Sequence, residues 1–257
     1  MYPIDMEGKN GVILGVANER SIAWAVARVL GEAGARLALT YQDDRVKSRV
    51  ARLAESLDGA ISVPCDATND QQITDLFGCV KENFGDISFL VHSIAYANRE
   101  DLTGRFSETG RDGFRVAMEV SAYSLLPLVR HAAPLMVDGG SIVTMTFLAS
   151  QRVYPGYNVM GTAKAALEHE VRQLAAEFGE QRIRLNAISA GPLETLAARG
   201  IHGFTDLRRH HAEKAAMKRN ISADEVAKTA LFLCSDLSSG ITGSVIPVDA
   251  GYHIMAV

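Results

Sequence analysis

The sequence predicts a doubly wound α/β fold on a mostly parallel sheet of about seven strands. Three observations predict it. Short apolar runs alternate with longer amphipathic ones along the whole chain. No run reaches the ~18 uncharged apolar residues of a membrane span. No repeat, low-complexity stretch or Pro/Gly-rich linker divides the 257 residues. Repeated strand and helix units imply parallel crossovers, each laying a helix on one face of the sheet. The composition, 47% hydrophobic and 22% charged, is that of a soluble globular chain rather than a disordered one. Units of about 250 residues are commonly single α/β domains, so one domain over 1–257 is expected. With 26 Lys and Arg against 30 Asp and Glu, the formal charge of -4 offers nucleic acid no attracting field. Cys65, Cys79 and Cys234 are odd in number and form no CxxC pair, as suits a reducing compartment. The first ten residues lack a basic stretch followed by an apolar run. A cytoplasmic protein without a membrane segment is expected.

The first strand, 11–15, ends at Gly15, and the helix over 22–33 follows with apolar residues at three- and four-residue steps. The turn between them lacks the G-x-G-x-x-G spacing. Gly15 nevertheless permits close backbone approach, and Ser21 can cap the helix beside its free N–H groups, which is where a pyrophosphate would sit. A plain capped turn would read the same way. The second strand, 36–40, leads to Gln42, Asp43 and Asp44, where a dinucleotide fold places its ribose-binding acid. Gln42 can bond ribose hydroxyls in place of that acid. Asp43 and Asp44 would repel a 2′-phosphate, whereas Arg45 and Lys47 would attract one, and NADH is expected over NADPH. The third strand, 60–64, runs into Cys65, Asp66 and Ala67, placed for an adenine edge. The fourth, 87–91, runs into His92, Ser93, Ile94 and Ala95, beside the expected switch point. Each could equally be a plain strand end.

After the fifth strand, 141–145, comes Tyr157, separated by six residues from Lys164, on a segment that continues as a helix over 165–178. Helical spacing would set the two about two turns apart on one side, an arrangement also commonplace on core-facing helices. The sixth strand, 183–187, is followed by an excursion over 191–220 before the seventh, 244–248. So long a connection reads as a lid, or as a pair of surface helices. No H-E-x-x-H or G-x-S-x-G occurs, and the adjacent His210 and His211 cannot share one helix face. No metal is expected.

Seven motifs in order carry a resemblance over nearly the whole chain: Gly15-Val-Ala-Asn-Glu-Arg-Ser-Ile-Ala-Trp24, His92-Ser-Ile-Ala95, Val120-Ser-Ala-Tyr-Ser124, Tyr157-Asn-Val-Met-Gly161, Asn186-Ala-Ile-Ser-Ala-Gly-Pro192, Ser235-Asp-Leu-Ser-Ser-Gly240 and Val248-Asp-Ala-Gly-Tyr-His253. The sequence resembles the enoyl-acyl-carrier-protein reductases of bacterial fatty-acid synthesis, a divergent branch of the short-chain dehydrogenase/reductases with a Rossmann-like fold. Six residues between Tyr and Lys, rather than three, select that branch. The resemblance implies reduction of a trans-2-enoyl thioester by NADH, with Tyr157 as the substrate-facing phenol and Lys164 as the ammonium that positions the cofactor. It implies that Gly15, Ser21, Ile22, Gln42, Asp66, Ala67, Ser93, Ile94, Lys164 and the stretch Leu193, Glu194, Thr195, Leu196 and Ala197 line the cofactor. Ala97, Phe147 and Tyr157 would meet the substrate. Acyl-carrier protein is the implied partner and a homotetramer the implied assembly.

Two positions depart from the pattern. Many relatives have a second tyrosine where Phe147 stands, and Tyr154 is a candidate for the replacement hydroxyl or else a packing residue. Relatives usually have a basic residue in place of Glu194. Between Arg199 and Arg219, six basic residues (Arg199, Arg208, Arg209, Lys214, Lys218, Arg219) face two acids (Asp206, Glu213). That local balance of +4 could steer an acidic carrier protein or simply mark a solvated helix face. Another NAD(P)H-dependent reduction, of a ketone or a different conjugated carbonyl, uses the same scaffold. A catalytically weak cofactor-binding paralogue would also carry these motifs.

Overall fold

The computed structural model describes residues 4–195, 198 and 203–256. Seven parallel strands, β1 (Asn10–Leu14), β2 (Arg36–Tyr41), β3 (Ile61–Pro64), β4 (Phe89–His92), β5 (Gly140–Thr146), β6 (Ile183–Ala190) and β7 (Val245–Val248), form one sheet in the order β3-β2-β1-β4-β5-β6-β7. Every predicted strand is present within a few residues of its expected bounds. The alternation of side chains along a strand divides the core in two. Ile13, Leu37, Leu39, Phe89, Val91 and Val143 face one layer, and Val12, Leu14, Ala38, Leu90, Ile142 and Leu185 face the other.

The first layer is closed by α1 (Ile22–Glu32), α2 (Asp44–Glu55) and α8 (Ala223–Cys234). The second is closed by α3 (Asp70–Phe84), α5 (Leu125–Ala132) and α6 (Val159–Phe178). Side-chain caps start several of these helices where the sequence supplies them: Ser21 for α1, Asp43 for α2, Asn69 for α3, and Ser222 with Glu225 as a capping box for α8. Two further helices are α4 (Arg111–Met118), which packs against α6, and α7 (Phe204–Lys214). Between α4 and α5 the chain makes a π-helical turn over Glu119–Tyr123, a local widening often found at functional sites. No described helix is long and apolar enough to cross a membrane. No group of three or more His, Cys, Asp or Glu among the described residues could hold a metal.

Candidate active site

Because all strands run parallel, their carboxyl ends share one edge, and the described residues among those expected from the sequence follow the strands there. Between β1 and β4 the strand order reverses, which makes the crevice where such sheets take ligands. Gly15 stands there at φ +92, and a Cβ on it would fall 2.1 Å from the Ser93 carbonyl oxygen. Only glycine fits that backbone conformation and that approach. Ser21 accepts the Trp24 N–H at 3.2 Å and donates to the Asn18 carbonyl at 2.7 Å. It thereby fixes the amino end of α1, where Ile22 is the first helical residue and the first turn has no acid. Such an end favours an anion.

Gln42 is exposed just beyond β2. Asp43 takes the Arg45 N–H at 2.9 Å and its Nε at 3.0 Å, and the Arg45 guanidinium holds the Asp43 carboxyl below the usual carboxylate range. Of the two cations that would draw a 2′-phosphate, Arg45 is thus already paired, whereas Lys47 has no such partner among the described residues. Asp66 accepts from the Thr68 N–H at 3.0 Å and the Thr68 hydroxyl at 2.8 Å. Its own N–H donates to Gln72 Oε1 at 2.8 Å, and Ala67 is buried beside it.

Tyr157 corrects one expectation. It is not on the helix: Asn158 has φ +33, α6 begins at Val159, and Tyr157 occupies the preceding turn, donating its N–H to the Tyr154 carbonyl at 3.1 Å. The Asn158 amide fastens this turn to the carbonyls of Thr103 and Gly104 at 3.2 and 3.3 Å. Gly161 lets α6 press on the neighbouring loop, since a Cβ there would lie 2.8 Å from the Ala149 carbonyl oxygen. The phenol is half-buried against the edge of Phe147, with ring centroids 5.1 Å apart. Burial pushes it up to about 12.

Lys164 is buried at 3% exposure and donates to the Met145 carbonyl at 2.9 Å and the Ile94 carbonyl at 3.4 Å. Burial pulls the ammonium down to about 8 against the opposing pull of Glu168. Glu168 is held by the Thr146 hydroxyl at 2.7 Å. An ammonium has three donors, so one remains beyond these two carbonyls.

Sequence reasoning missed the supports behind this pair. His92 is fully buried, with Nδ1 2.8 Å from Thr144 Oγ1 and Nε2 2.9 Å from Ser124 Oγ. The Ser124 hydroxyl donates to the Val120 carbonyl at 2.8 Å, so its oxygen accepts from His92 Nε2–H. The bare Nδ1, at 2.8 Å, then accepts the Thr144 hydroxyl proton, with the His92 carbonyl oxygen a second, longer acceptor at 3.2 Å. Burial, and secondarily the Lys164 charge, pushes the imidazole down to about 3, and it stays neutral. Ser121, on the π-helical turn, accepts the Tyr96 N–H and donates to the Tyr96 carbonyl, both at 2.9 Å, which fixes the loop carrying Ser93, Ile94 and half-buried Ala97. The Val120 to Ser124 motif was visible in the sequence, but its contacts were not.

Beyond β6, Leu193 and Thr195 are half-buried and Glu194 is exposed. Glu194 bonds to Arg208 of α7, so the reversed charge is answered by a cation on the facing helix. Leu196, Ala197 and Arg199 lie outside the described residues. Of the basic cluster, Arg209 pairs with Asp206, which the +4 balance already includes, whereas Arg208 and Arg219 pair with Glu194 and Glu225 outside the counted segment, which leaves less unpaired charge than the sequence count suggests. Tyr154 packs on Phe147 at 4.6 Å and faces Tyr252 at 6.5 Å, and Tyr252 stacks on buried His211 at 4.6 Å. Burial raises the Tyr154 phenol, with Tyr252 and Asp249 adding to the shift. Its buried hydroxyl has no partner among the described residues.

A glycine turn at the switch point of a doubly wound sheet, with a buried lysine and a half-buried tyrosine on the same edge, is the architecture of a nucleotide-dependent oxidoreductase. The chain belongs to the enoyl-(acyl carrier protein) reductase family, whose model matches residues 15–253. It is 49% identical over 253 residues to the enoyl-(acyl-carrier-protein) reductase (NADH) of Bacillus subtilis (strain 168), spanning 98% of each chain. The Bacillus cereus enoyl-acyl carrier protein reductase, solved with NADP+ and indole naphthyridinone, superposes with a TM-score of 0.96 at 47% identity, over 98% of this chain and 99% of that one. The reductase of Anaplasma phagocytophilum, solved with NAD, gives a TM-score of 0.95 at 43% identity, over 98% and 96%.

Proposed function

We propose that the protein reduces the carbon–carbon double bond of trans-2-enoyl thioesters borne on acyl-carrier protein, with NADH, in fatty-acid elongation. The observation that carries this reading is the buried Lys164 ammonium, seated on the carbonyls of Ile94 and Met145 at the carboxyl ends of β4 and β5 with one donor to spare. The residues present fit the dinucleotide: Gly15 clears the backbone approach, the amino end of α1 lacks an acid, and Arg45 is occupied by Asp43. NADH, when bound, would supply the hydride for the β-carbon, and a proton taken up at the α-carbon would complete the reduction. Lys164 would hold the nicotinamide ribose with its remaining N–H. Tyr157, protonated throughout the working range, donates a hydrogen bond to the thioester oxygen on which negative charge accumulates. Such preorganised help lowers barriers by about 3–4 kcal/mol. Gln42, Asp66, Ala67, Ser93, Ile94, Leu193, Glu194 and Thr195 would line the cofactor in this reading, and Ala97 and Phe147 would face the substrate.

The excursion over 191–220 is read as the lid, and among its described residues Glu194 bonds to Arg208 of α7. A cytoplasmic homotetramer belongs to the same reading. Three free cysteines support the location. An edge strand, β7, whose residues are not fully buried, and exposed Ile254 and Met255 support the assembly.

Steady-state oxidation of NADH with crotonyl and longer 2-enoyl thioesters tests the assignment. Enoyl thioesters are expected to be consumed with NADH at a kcat/KM at least about tenfold above that with NADPH, and simple ketones to be poor substrates. Faster turnover of a ketone would overturn the reading. A companion variant addresses Tyr154, whose ring and that of Tyr157 both pack on Phe147. Tyr154→Phe is expected to keep kcat within about twofold and to leave the Tm unchanged or higher, because an unpartnered buried hydroxyl costs about 1–3 kcal/mol. A tenfold loss of kcat would make Tyr154 the replacement for the hydroxyl absent at Phe147.

A further inference from the structure

The two carbonyls that seat Lys164 belong to different segments, Ile94 beyond β4 and Met145 within β5. Each lies one or two residues past a partner in a single buried side-chain bond, His92 Nδ1 to Thr144 Oγ1 at 2.8 Å. His92 and Thr144 are also register partners across the sheet. The far side of the imidazole is fastened to Ser124 at the start of α5, so the ring cannot tilt without losing a bond. All three side chains are essentially inaccessible to water, where an unmade hydrogen bond is costly and a made one is stiff.

We propose that His92, Thr144 and Ser124 are positioning residues of the reductive site, locking β4 to β5 so that the Ile94 and Met145 carbonyls stand at the spacing that seats the Lys164 ammonium. The proposal rests on the cofactor-holding role assigned to Lys164, but it concerns a chain of side chains that touches neither substrate nor cofactor. The groups facing Lys164 are neutral His92 from β4 and the Glu168 carboxylate one turn along α6, which Thr146 of β5 holds. Glu168 supplies attraction but not the two carbonyl acceptors. If the lock loosens, the ammonium loses acceptors while remaining buried, and its charged form becomes harder to keep.

Thr144→Val in the full-length protein removes the hydroxyl at nearly constant shape. NADH affinity, followed by nucleotide fluorescence from pH 6 to 10, is expected to fall about tenfold at neutral pH. The alkaline limb of binding should move to lower pH, and Thr144→Ser should restore both. His92→Gln, which keeps a donor and an acceptor but not the ring's span, should give the same displacement if Thr144→Val does not fold. A lowered Tm with unchanged affinity and an unmoved limb in these variants would overturn the proposal. The readout needs no enoyl substrate, so a failure of the lock is distinct from a failure of the enoyl-reductase reading, which the wild-type turnover assay decides.

Discussion

Tyr157→Phe is expected to lower kcat by about 10²- to 10³-fold while leaving the NADH dissociation constant within about twofold, because it removes a donor used where charge develops. Lys164→Met should behave differently and lose cofactor affinity together with turnover. The pH profile separates the two groups. The folded-state lysine is pulled down to about 8, so it is charged below that pH and loses its proton as the pH rises through it. NADH affinity and kcat/KM of the free enzyme are therefore expected to fall on the alkaline side of about 8. Tyr157, pushed up to about 12, contributes no limb in that range. Tyr157→Phe should keep the alkaline limb on its residual activity, and Lys164→Met should erase it. Vigorous reduction by both variants would remove the chemical role of the pair, and a limb that survives Lys164→Met would assign the titration to another group.

What was legible in the sequence is what local pattern controls. Strand-length apolar runs gave all seven strands, because a parallel strand covered on both faces is an apolar run bounded by turns. Ser21 and Gly15 were readable because capping and close backbone approach are demands on single residues. The Tyr157 to Lys164 spacing singled out both residues on a helical reading that holds for Lys164 and not for Tyr157. The phenol stands in a turn set by Asn158 at φ +33, a conformation that helical periodicity does not foresee. The supports of Lys164 were not legible, since His92, Ser124 and Thr144 come from three elements and meet only when β4, β5 and α5 pack. Arg208 was hidden for the same reason. Counting charges gave a basic patch, whereas folding sets Arg208 on Glu194, Arg209 on Asp206 and Arg219 on Glu225. Exposed pairs of this kind are worth about 0–1 kcal/mol each, so they redistribute the local field more than they stabilise the segment.

Gly15→Ala is expected to cost more than about 3 kcal/mol of stability and to abolish measurable NADH binding in whatever folded protein remains. Two separate penalties combine. At φ +92 any side chain strains the backbone by about 1–3 kcal/mol. The methyl would also fall 2.1 Å from the Ser93 carbonyl oxygen and 2.8 Å from its carbon, atoms of a backbone that cannot swing aside as a flexible side chain can. Ser93 is tethered, because its N–H donates to the Leu14 carbonyl at 3.3 Å and Leu14 is the register partner of His92 in the β1–β4 ladder. Relief must therefore separate the two central strands at the point where their order reverses, which is the crevice assigned to the cofactor. Gly8→Ala isolates the first penalty, since Gly8 has φ +74 and nothing within 4 Å of the added carbon. That variant should lose only about 1 kcal/mol and bind NADH normally. Denaturant unfolding and NADH titration of both proteins decide the matter. Equal stability of the two variants, with equal affinity, would mean that the switch point has room the geometry denies it. A destabilised Gly15→Ala protein that still binds NADH would move the pyrophosphate away from this turn, though it would leave the Tyr157 and Lys164 chemistry intact.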